Sequence, residues 1–256
     1  MVKPKKHLGQ HFLTDNNIAE KIVGCLSMKN TTVCEIGPGT GVLTTFLLKD
    51  EHITNLHLIE IDDESVEYLR ENFHDPRITI HQADFLKIPF GEITESKTAI
   101  IGNFPYNIGS QIFFKALQHR NQIPEMVCMI QKEVAERLAA GPGSKTYGIL
   151  SVLLQTWFNI EYCFTVHEHV FYPPPKVKSG VIRLTRNETQ QIDCDESLYF
   201  SVVKTAFNQR RKTLRNALKP LAVVGLPDHP LLSQRAEQLS IEEFITLTNL
   251  VSQTLR

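Results

Sequence analysis

The sequence predicts an α/β fold built on a mostly parallel, doubly wound sheet, followed by a small all-helical domain. Three observations carry this. Short apolar runs alternate with amphipathic stretches through roughly the first 140 residues; glycines and acids fall at the ends of those runs; and beyond about residue 190 only helical periodicity remains. The candidate strands are Thr32–Ile36, His57–Ile61, Ile78–His81, Ala99–Gly102 and Met126–Ile130, with helix-like segments near 41–49, 63–73, 109–119 and 132–140. Parallel strands need crossover connections, so strand and helix in alternation read as a wound sheet. Such sheets bind ligands at the carboxyl ends of their strands.

Residues 1–13 form a basic arm. Asp15 or Thr14 caps a helix that carries Ile18, Ile22, Val23 and Leu26 on one face. Tyr147–Phe158 reads as another helix. The Pro-rich turn Phe171-Tyr-Pro-Pro-Pro-Lys-Val177 precedes a β-like Gly180–Leu184. Residues 185–197 are polar and acidic and read as a linker. The domains are therefore placed at 1–189 and 190–256, the second helical with breaks at Pro220 and Gly225-Leu-Pro227.

Composition bounds the function. The 256 residues allow one or two domains, and 42% hydrophobic with 21% charged residues describes an ordinary globular chain. Lys+Arg 27 against Asp+Glu 28 leaves a net charge of -1, which excludes holding nucleic acid by bulk charge but not by a local patch. No apolar run reaches the roughly 18 residues of a membrane span. The basic N-terminus has no apolar stretch behind it, unlike a signal peptide. The five cysteines are odd in number and scattered, with no C-x-x-C pair, which fits free thiols in a reducing cytoplasm. The expectation is a soluble, cytoplasmic protein. His167-Glu-His169 has no supporting ligands, so no metal is expected.

Val33-Cys-Glu-Ile-Gly-Pro-Gly-Thr-Gly41 places Gly37, Gly39 and Gly41 between a strand and a helix, where the backbone must turn sharply and approach a ligand closely. The G-x-G-x-G spacing preceded by Glu35 differs from the dinucleotide fingerprint. It is the S-adenosylmethionine loop of class I methyltransferases, a Rossmann-like fold whose mostly parallel sheet ends in an antiparallel last strand. Glu60 ends the second strand, 19 residues after Gly41, where a carboxylate can accept from ribose hydroxyls. Asp84 ends the third, where it can accept from an adenine amino group.

Asn103-Phe-Pro-Tyr106 ends the fourth strand with the form Asn-x-Pro-aromatic, which recurs in enzymes that methylate exocyclic amines. An adenine amino group is a poor nucleophile because its lone pair is delocalised. The Asn103 side-chain oxygen and the Phe104 carbonyl can hold its two hydrogens and favour a tetrahedral nitrogen. Pro105 fixes the turn that aims the carbonyl, and Tyr106 offers a face for an extruded base. No metal or general base of unusual pKa is needed.

Basic residues cluster despite the neutral total. Lys204, Arg210, Arg211, Lys212, Arg215 and Lys219 occur with no acid between them, as do Lys176, Lys178, Arg183 and Arg186; Lys3, Lys5 and Lys6 make a third group. On a helix Arg211 and Arg215 would share a face, with Leu214 and Leu218 turned to the core. Lys5, Lys6, Lys176, Lys178, Arg210, Arg211, Lys212 and Arg215 are the candidate RNA contacts.

These motifs together resemble the bacterial small-subunit rRNA adenine dimethyltransferases nearly end to end. The likeness covers Gly9-Gln-His-Phe-Leu13, Glu35–Gly41, Glu60-Ile-Asp62, Gln82-Ala-Asp-Phe85 and Gly102–Ile108. It continues through Phe171–Val177 and Phe207-Asn-Gln-Arg-Arg-Lys-Thr-Leu-Arg-Asn216, the two most specific stretches. The resemblance implies two methyl groups placed on each of two adjacent adenosines near the 3′ end of the small-subunit rRNA, in a small subunit or its precursor. It also implies that His11 and Leu13 line the cofactor pocket, that Phe171 helps Tyr106 wall the target-base pocket, and that the helical domain binds RNA. The family's commonest residues at positions 11 and 104 are Asn and Leu, where this chain has His and Phe. A monomer is expected. Two other readings stay open: a large-subunit rRNA methyltransferase of the macrolide-resistance type, and a ribosome-assembly factor that uses the fold mainly for binding.

Overall fold

The run Thr32-Val-Cys-Glu-Ile36 is buried at all five positions, as a central parallel strand covered on both faces must be. In a computed structural model, which describes residues 2–27, 29, 31–221 and 226–254, this run is an inner strand of the main sheet. Gly225 lies outside the described residues. The elements follow in order: β1 (Phe12–Leu13), α1 (Asn16–Val23), β2 (Thr32–Ile36), α2 (Val42–Leu47), β3 (Asn55–Glu60), α3 (Asp63–Asn72), β4 (Ile78–Gln82), α4 (Phe90–Ile93), β5 (Ala99–Asn103), α5 (Gly109–Gln118), β6 (Glu125–Gln131), α6 (Lys132–Ala139), α7 (Ile149–Trp157), β7 (Phe158–Val166), β8 (Phe171–Tyr172), β9 (Ser179–Arg186), α8 (Glu196–Asn208), α9 (Leu214–Ala217) and α10 (Ile241–Thr254).

Seven strands pair in the order β4-β3-β2-β5-β6-β9-β7. The pairings from β4 to β6 are parallel, and β9 runs antiparallel to β6, with Gly180 opposite Ile130. From β2 the chain builds outward to β3 and β4, then returns to lay β5 on the other side. The strand order therefore reverses between β2 and β5, and the carboxyl ends of these two strands diverge there into separate loops. Asp15 caps α1, its carboxylate accepting from the backbone N–H groups of Asn17 and Ile18 at 2.9 and 3.1 Å.

Two features lie beyond the sequence reading. β7 was not expected; its residues alternate only weakly in burial, the signature of a strand at the sheet margin. The short β1 pairs antiparallel with β8, Phe12 opposite Tyr172 and Leu13 opposite Phe171, which fastens the N-terminal arm to the Pro-rich segment 158 residues later.

The chain divides into two compact units, Met1–Ala135 with Asn159–Arg186, and Glu136–Phe158 with Asn187–Arg256. The sequence boundary near 190 leaves α7 with the sheet, whereas its contacts lie with the C-terminal helices. The reason is aromatic packing: Trp157 meets Tyr199 edge to face at 6.3 Å and Tyr147 meets Phe207 likewise at 6.0 Å, while Thr156 hydrogen-bonds the Tyr199 hydroxyl at 2.9 Å. Ser240 and Glu243 form a capping box that starts α10. Among the described residues no helix is long and apolar enough to cross a membrane.

One glycine sets the spacing of the two central strands. A Cβ on Gly102, near the end of β5, would stand 2.5 Å from the Ile36 carbonyl oxygen, a backbone atom that cannot turn away. Gly102→Ala is expected to destabilise the protein by about 1–3 kcal/mol. Thermal unfolding would show it as a midpoint lowered by about 2 °C or more; an unchanged midpoint would mean that β2 and β5 are free to separate.

Candidate active site

The turn after β2 is built from left-handed backbone. Gly37, Gly39 and Gly41 have φ of 66°, 57° and 75°, values that cost a side-chain-bearing residue energy. Their surroundings differ. A Cβ on Gly39 would stand 2.8 Å from the Phe12 ring and one on Gly41 would stand 2.4 Å from the Phe73 ring, whereas nothing lies within 4 Å of the equivalent point on Gly37. The loop is thus packed behind and open in front. It opens into a cleft at the carboxyl ends of β2, β3, β4 and β5.

Two carboxylates are buried beside this loop. Glu60, 4% exposed, ends β3 and accepts the backbone N–H groups of Gly39, Ile61 and Asp62 at 3.0, 2.8 and 2.9 Å. Burial raises its pKa, and those three bonds oppose the rise. A carboxylate offers about four acceptor sites, so one remains for a ligand hydroxyl, and a second hydroxyl would have to displace a backbone donor. Glu35, 1% exposed, accepts among the described residues only from the Thr44 hydroxyl, at 2.6 Å. Burial first, and then the nearby Glu60 charge, push its pKa up to about 8. Asp84 follows β4 on the cleft wall, one oxygen accepting from the Leu86 N–H at 2.9 Å. The loop carrying Phe85 and Leu86 is held by the Lys115 ammonium, which donates to the Phe85 and Ile88 carbonyls.

The Asn103–Tyr106 turn faces Glu60 and Asp84 across the same cleft. The Asn103 amide nitrogen donates to the His11 carbonyl at 2.9 Å, and its side-chain oxygen has no hydrogen bond among the described residues. The Phe104 N–H donates to the Met129 carbonyl at 3.0 Å, and its ring is buried edge-on to Phe113. Pro105 lies on the cleft wall. Tyr106 is held at both ends: its hydroxyl shares a 2.8 Å hydrogen bond with Ser179, and the His11 ring stacks on it at 5.7 Å. His11 is fixed in turn, because its Nδ1 lies 2.6 Å from the Pro173 carbonyl and must donate to it.

The cleft therefore gathers His11, Gly37, Gly39, Glu60, Asp84 and Asn103 to Tyr106. Three expected residues do not line it. Leu13 and Phe171 are paired with one another in the β1–β8 ribbon and buried in the core cluster, and Gly41 starts α2 with Phe73 behind it. Sequence spacing missed Ser179, Lys115 and the Phe12 ring against Gly39. Ser179 and Lys115 belong to no local motif, and Phe12, although inside the Gly9–Leu13 stretch, meets Gly39 only through a long-range contact.

Several candidate RNA contacts are already engaged. Lys5 pairs with Asp62 and lies 3.5 Å from Glu64, anchoring the arm beyond β3. Burial acts to raise the Asp62 pKa, but the Lys5 and Ser65 hydrogen bonds prevail and hold it below the usual carboxylate range. Arg210 donates to the Lys145 and Tyr147 carbonyls at 2.8 and 3.0 Å, and Arg215 pairs with Asp228 at 2.6 Å. Arg183 pairs with the buried Glu125, also at 2.6 Å. Arg211 and Arg215 do not share a helical face, because α8 ends at Asn208 and α9 begins only at Leu214; Leu214 and Leu218 are buried. Lys6, Lys176, Lys178, Arg211 and Lys212 are exposed, with no ion pair among the described residues.

A family described as ribosomal RNA adenine dimethylase matches residues 1–253. The chain is 57% identical over 256 residues to ribosomal RNA small subunit methyltransferase A of Parabacteroides distasonis, covering 99% of this chain and 95% of that protein. It is 56% identical over 254 residues to the protein of the same name from Cytophaga hutchinsonii, covering 98% of each. Among solved structures, a dimethyladenosine transferase from Plasmodium falciparum superposes with a TM-score of 0.77 at 24% identity, over 95% of this chain and 98% of that one. The 23S rRNA methyltransferase ErmE gives 0.71 at 24% identity, over 94% and 100%. At that identity the two structures show the fold, a class I methyltransferase sheet with helices.

The buried Glu35 carboxyl makes stability depend on pH. Between an ordinary carboxyl pKa of 4.5 and about 8, the folded chain holds a proton that the unfolded chain has released, so stability falls as pH rises through that window and is full below it. Relative to Glu35→Gln, which cannot ionise, the native protein is expected to lose about 1.4 kcal/mol per pH unit between about pH 5 and 8. Denaturant titrations at several pH values measure this; parallel curves for the two proteins would contradict it.

Proposed function

The chain belongs to the ribosomal RNA adenine dimethylase family, and from that premise we propose its reaction. It transfers methyl groups from S-adenosylmethionine to the exocyclic amines of two adjacent adenosines in the 3′-terminal hairpin loop of small-subunit (16S) rRNA, giving dimethyladenosines. The observation that carries this reading is Asn103. Its amide is spent on the His11 carbonyl, so its oxygen is presented as an acceptor in a cleft that also holds Glu60 and Asp84.

The residues present fit the cofactor. Gly37 leaves open the space that a side chain would fill, Glu60 keeps an acceptor site at the cleft wall for a ribose hydroxyl, and Asp84 stands where an adenine amino group can donate. Bound there, S-adenosylmethionine supplies an electrophilic methyl group on a sulfonium. The chain's own part is to hold the substrate amine. The Asn103 side-chain oxygen and the Phe104 carbonyl accept its two hydrogens and draw its lone pair out of the ring. Pro105 sets the turn between them, and Tyr106, held by Ser179 and His11, gives the extruded base a platform. Pre-set acceptors of this kind need no rearrangement when charge develops on the nitrogen.

The open cations available to RNA phosphates are Lys6, Lys176 and Lys178 in the first unit and, taken by itself, Arg211 and Lys212 in the helical unit. Lys5, Arg210 and Arg215, the other expected contacts, each hold a partner within the chain. About five phosphate contacts would give log K against log salt a slope near -3.5 to -4.5. The substrate is the small subunit or its precursor, the enzyme acts as a monomer in the cytoplasm, and its product marks subunit biogenesis.

Asn103→Ala is expected to lower methyl transfer by about 100-fold or more while the affinity for small-subunit RNA stays within about 2-fold. Parallel assays of transfer and binding on small- and large-subunit rRNA check this. Substantial transfer by the variant would overturn the mechanism, and label confined to large-subunit RNA would overturn the substrate.

A further inference from the structure

The Pro-rich segment joins the cleft at both ends. Pro173 accepts from the His11 ring, and Ser179 hydrogen-bonds Tyr106, the two rings that stack together at the site. Both pins are contacts to side chains on the cleft wall, so the stretch between them starts and ends next to that wall. Its surface is unusual for this chain. Tyr172 is 63% exposed and Val177 46%, two of the large hydrophobic side chains most open to solvent among the described residues. Lys176 and Lys178 flank Val177, both exposed and with no acidic partner among the described residues. Tyr172 is not loose: its backbone is paired with Phe12 in the β1–β8 ribbon, so the ring projects from a fixed strand.

An exposed aromatic on a rigid strand, beside unpaired lysines, matches what a single-stranded nucleic acid offers: a flat base to stack and a phosphate to neutralise. A protein partner would bring an apolar face, for which the two lysines make a poor match. Resting on the function proposed above, we infer that Tyr172 is a stacking platform for an unpaired nucleotide next to the target adenosine, with Lys176 and Lys178 holding its phosphates. Tyr106 takes the base that reacts, and Tyr172 takes a neighbour that does not. The RNA is then gripped on either side of the extruded adenosine, which fixes the position of the reacting nucleotide along the strand.

The probe is a small-subunit 3′-terminal hairpin RNA carrying 2-aminopurine, in turn, at each unpaired position beside the target adenosines, titrated with the full chain. Stacking on Tyr172 quenches the fluorescence at one position. Tyr172→Ala is expected to abolish that quench and raise the dissociation constant about 5- to 150-fold. Tyr172→Phe and Tyr172→Trp keep both within about 2-fold. Tyr172→Thr, which retains a β-branched residue in the strand, reads as alanine does should alanine loosen the ribbon. Lys176→Gln with Lys178→Gln keeps the quench but flattens the salt slope by about 1.4. Unchanged quench and affinity in Tyr172→Ala and Tyr172→Thr would overturn the inference, as would an equal loss in Tyr172→Phe. Because the titration needs no methyl transfer, native protein that quenches the probe yet transfers nothing would refute the proposed function alone. Native protein that methylates normally with an inert Tyr172 would refute this inference alone.

Discussion

Parallel strands cannot be joined by tight turns, and the rest of this structure depends on that constraint. Each strand from β2 to β6 must send its chain over a face of the sheet before the next can start. The chain does this first toward β4 and then, from β2's other side, toward β6. At the reversal the carboxyl ends of β2 and β5 diverge into separate loops. The glycine turn, Glu60, Asp84 and Asn103 all occupy this opening. Gly102 allows β5 to lie close against β2, so that Asn103 arrives beside the glycine turn and not a side chain's width away.

Burial then divides the labour between two carboxylates. Both Glu35 and Glu60 lie out of water, where two nearby charges of one sign are costly. Three backbone N–H bonds oppose the rise in the Glu60 pKa, while Glu35 accepts from the Thr44 hydroxyl and is held neutral up to about pH 8. The carboxylate with three backbone donors faces the cleft, and Glu35 secures α2 behind the loop. The N-terminal arm completes the arrangement. Lys5 ties it to Asp62, and its His11 carbonyl takes the Asn103 amide, so the arm decides which end of that amide meets the substrate.

Much of this was legible in the sequence because it is written in short, local patterns. The strand Thr32–Ile36, the Asp15 cap and the glycine turn follow from periodicity and backbone chemistry over a few residues. Glu60, Asp84 and Asn103 were legible because each ends a strand or, for Asp84, follows one closely, and topology brings strand ends together. What was hidden depends on contacts between distant residues. β1 and β8 are two residues each and gain meaning only by pairing. β7 lacks the alternation that marks a strand with one wet face. The partners of the basic clusters were hidden for the same reason: counting charges along the chain cannot see that Lys5 meets Asp62, Arg183 meets Glu125, or Arg210 meets two backbone carbonyls. Leu13 and Phe171 were assigned to the site by resemblance, and the ribbon that pairs them turns both side chains into the core.

The account stands on one chemical outcome. Small ribosomal subunits lacking the modification would be incubated with this protein and methyl-labelled S-adenosylmethionine, and the labelled nucleosides identified and positioned by mass spectrometry. The account predicts dimethyladenosine at two adjacent positions in the 3′-terminal hairpin loop and at no other adenosine. Tight binding to the subunits without transferred label, or label on a ring nitrogen in place of the exocyclic amine, would contradict it.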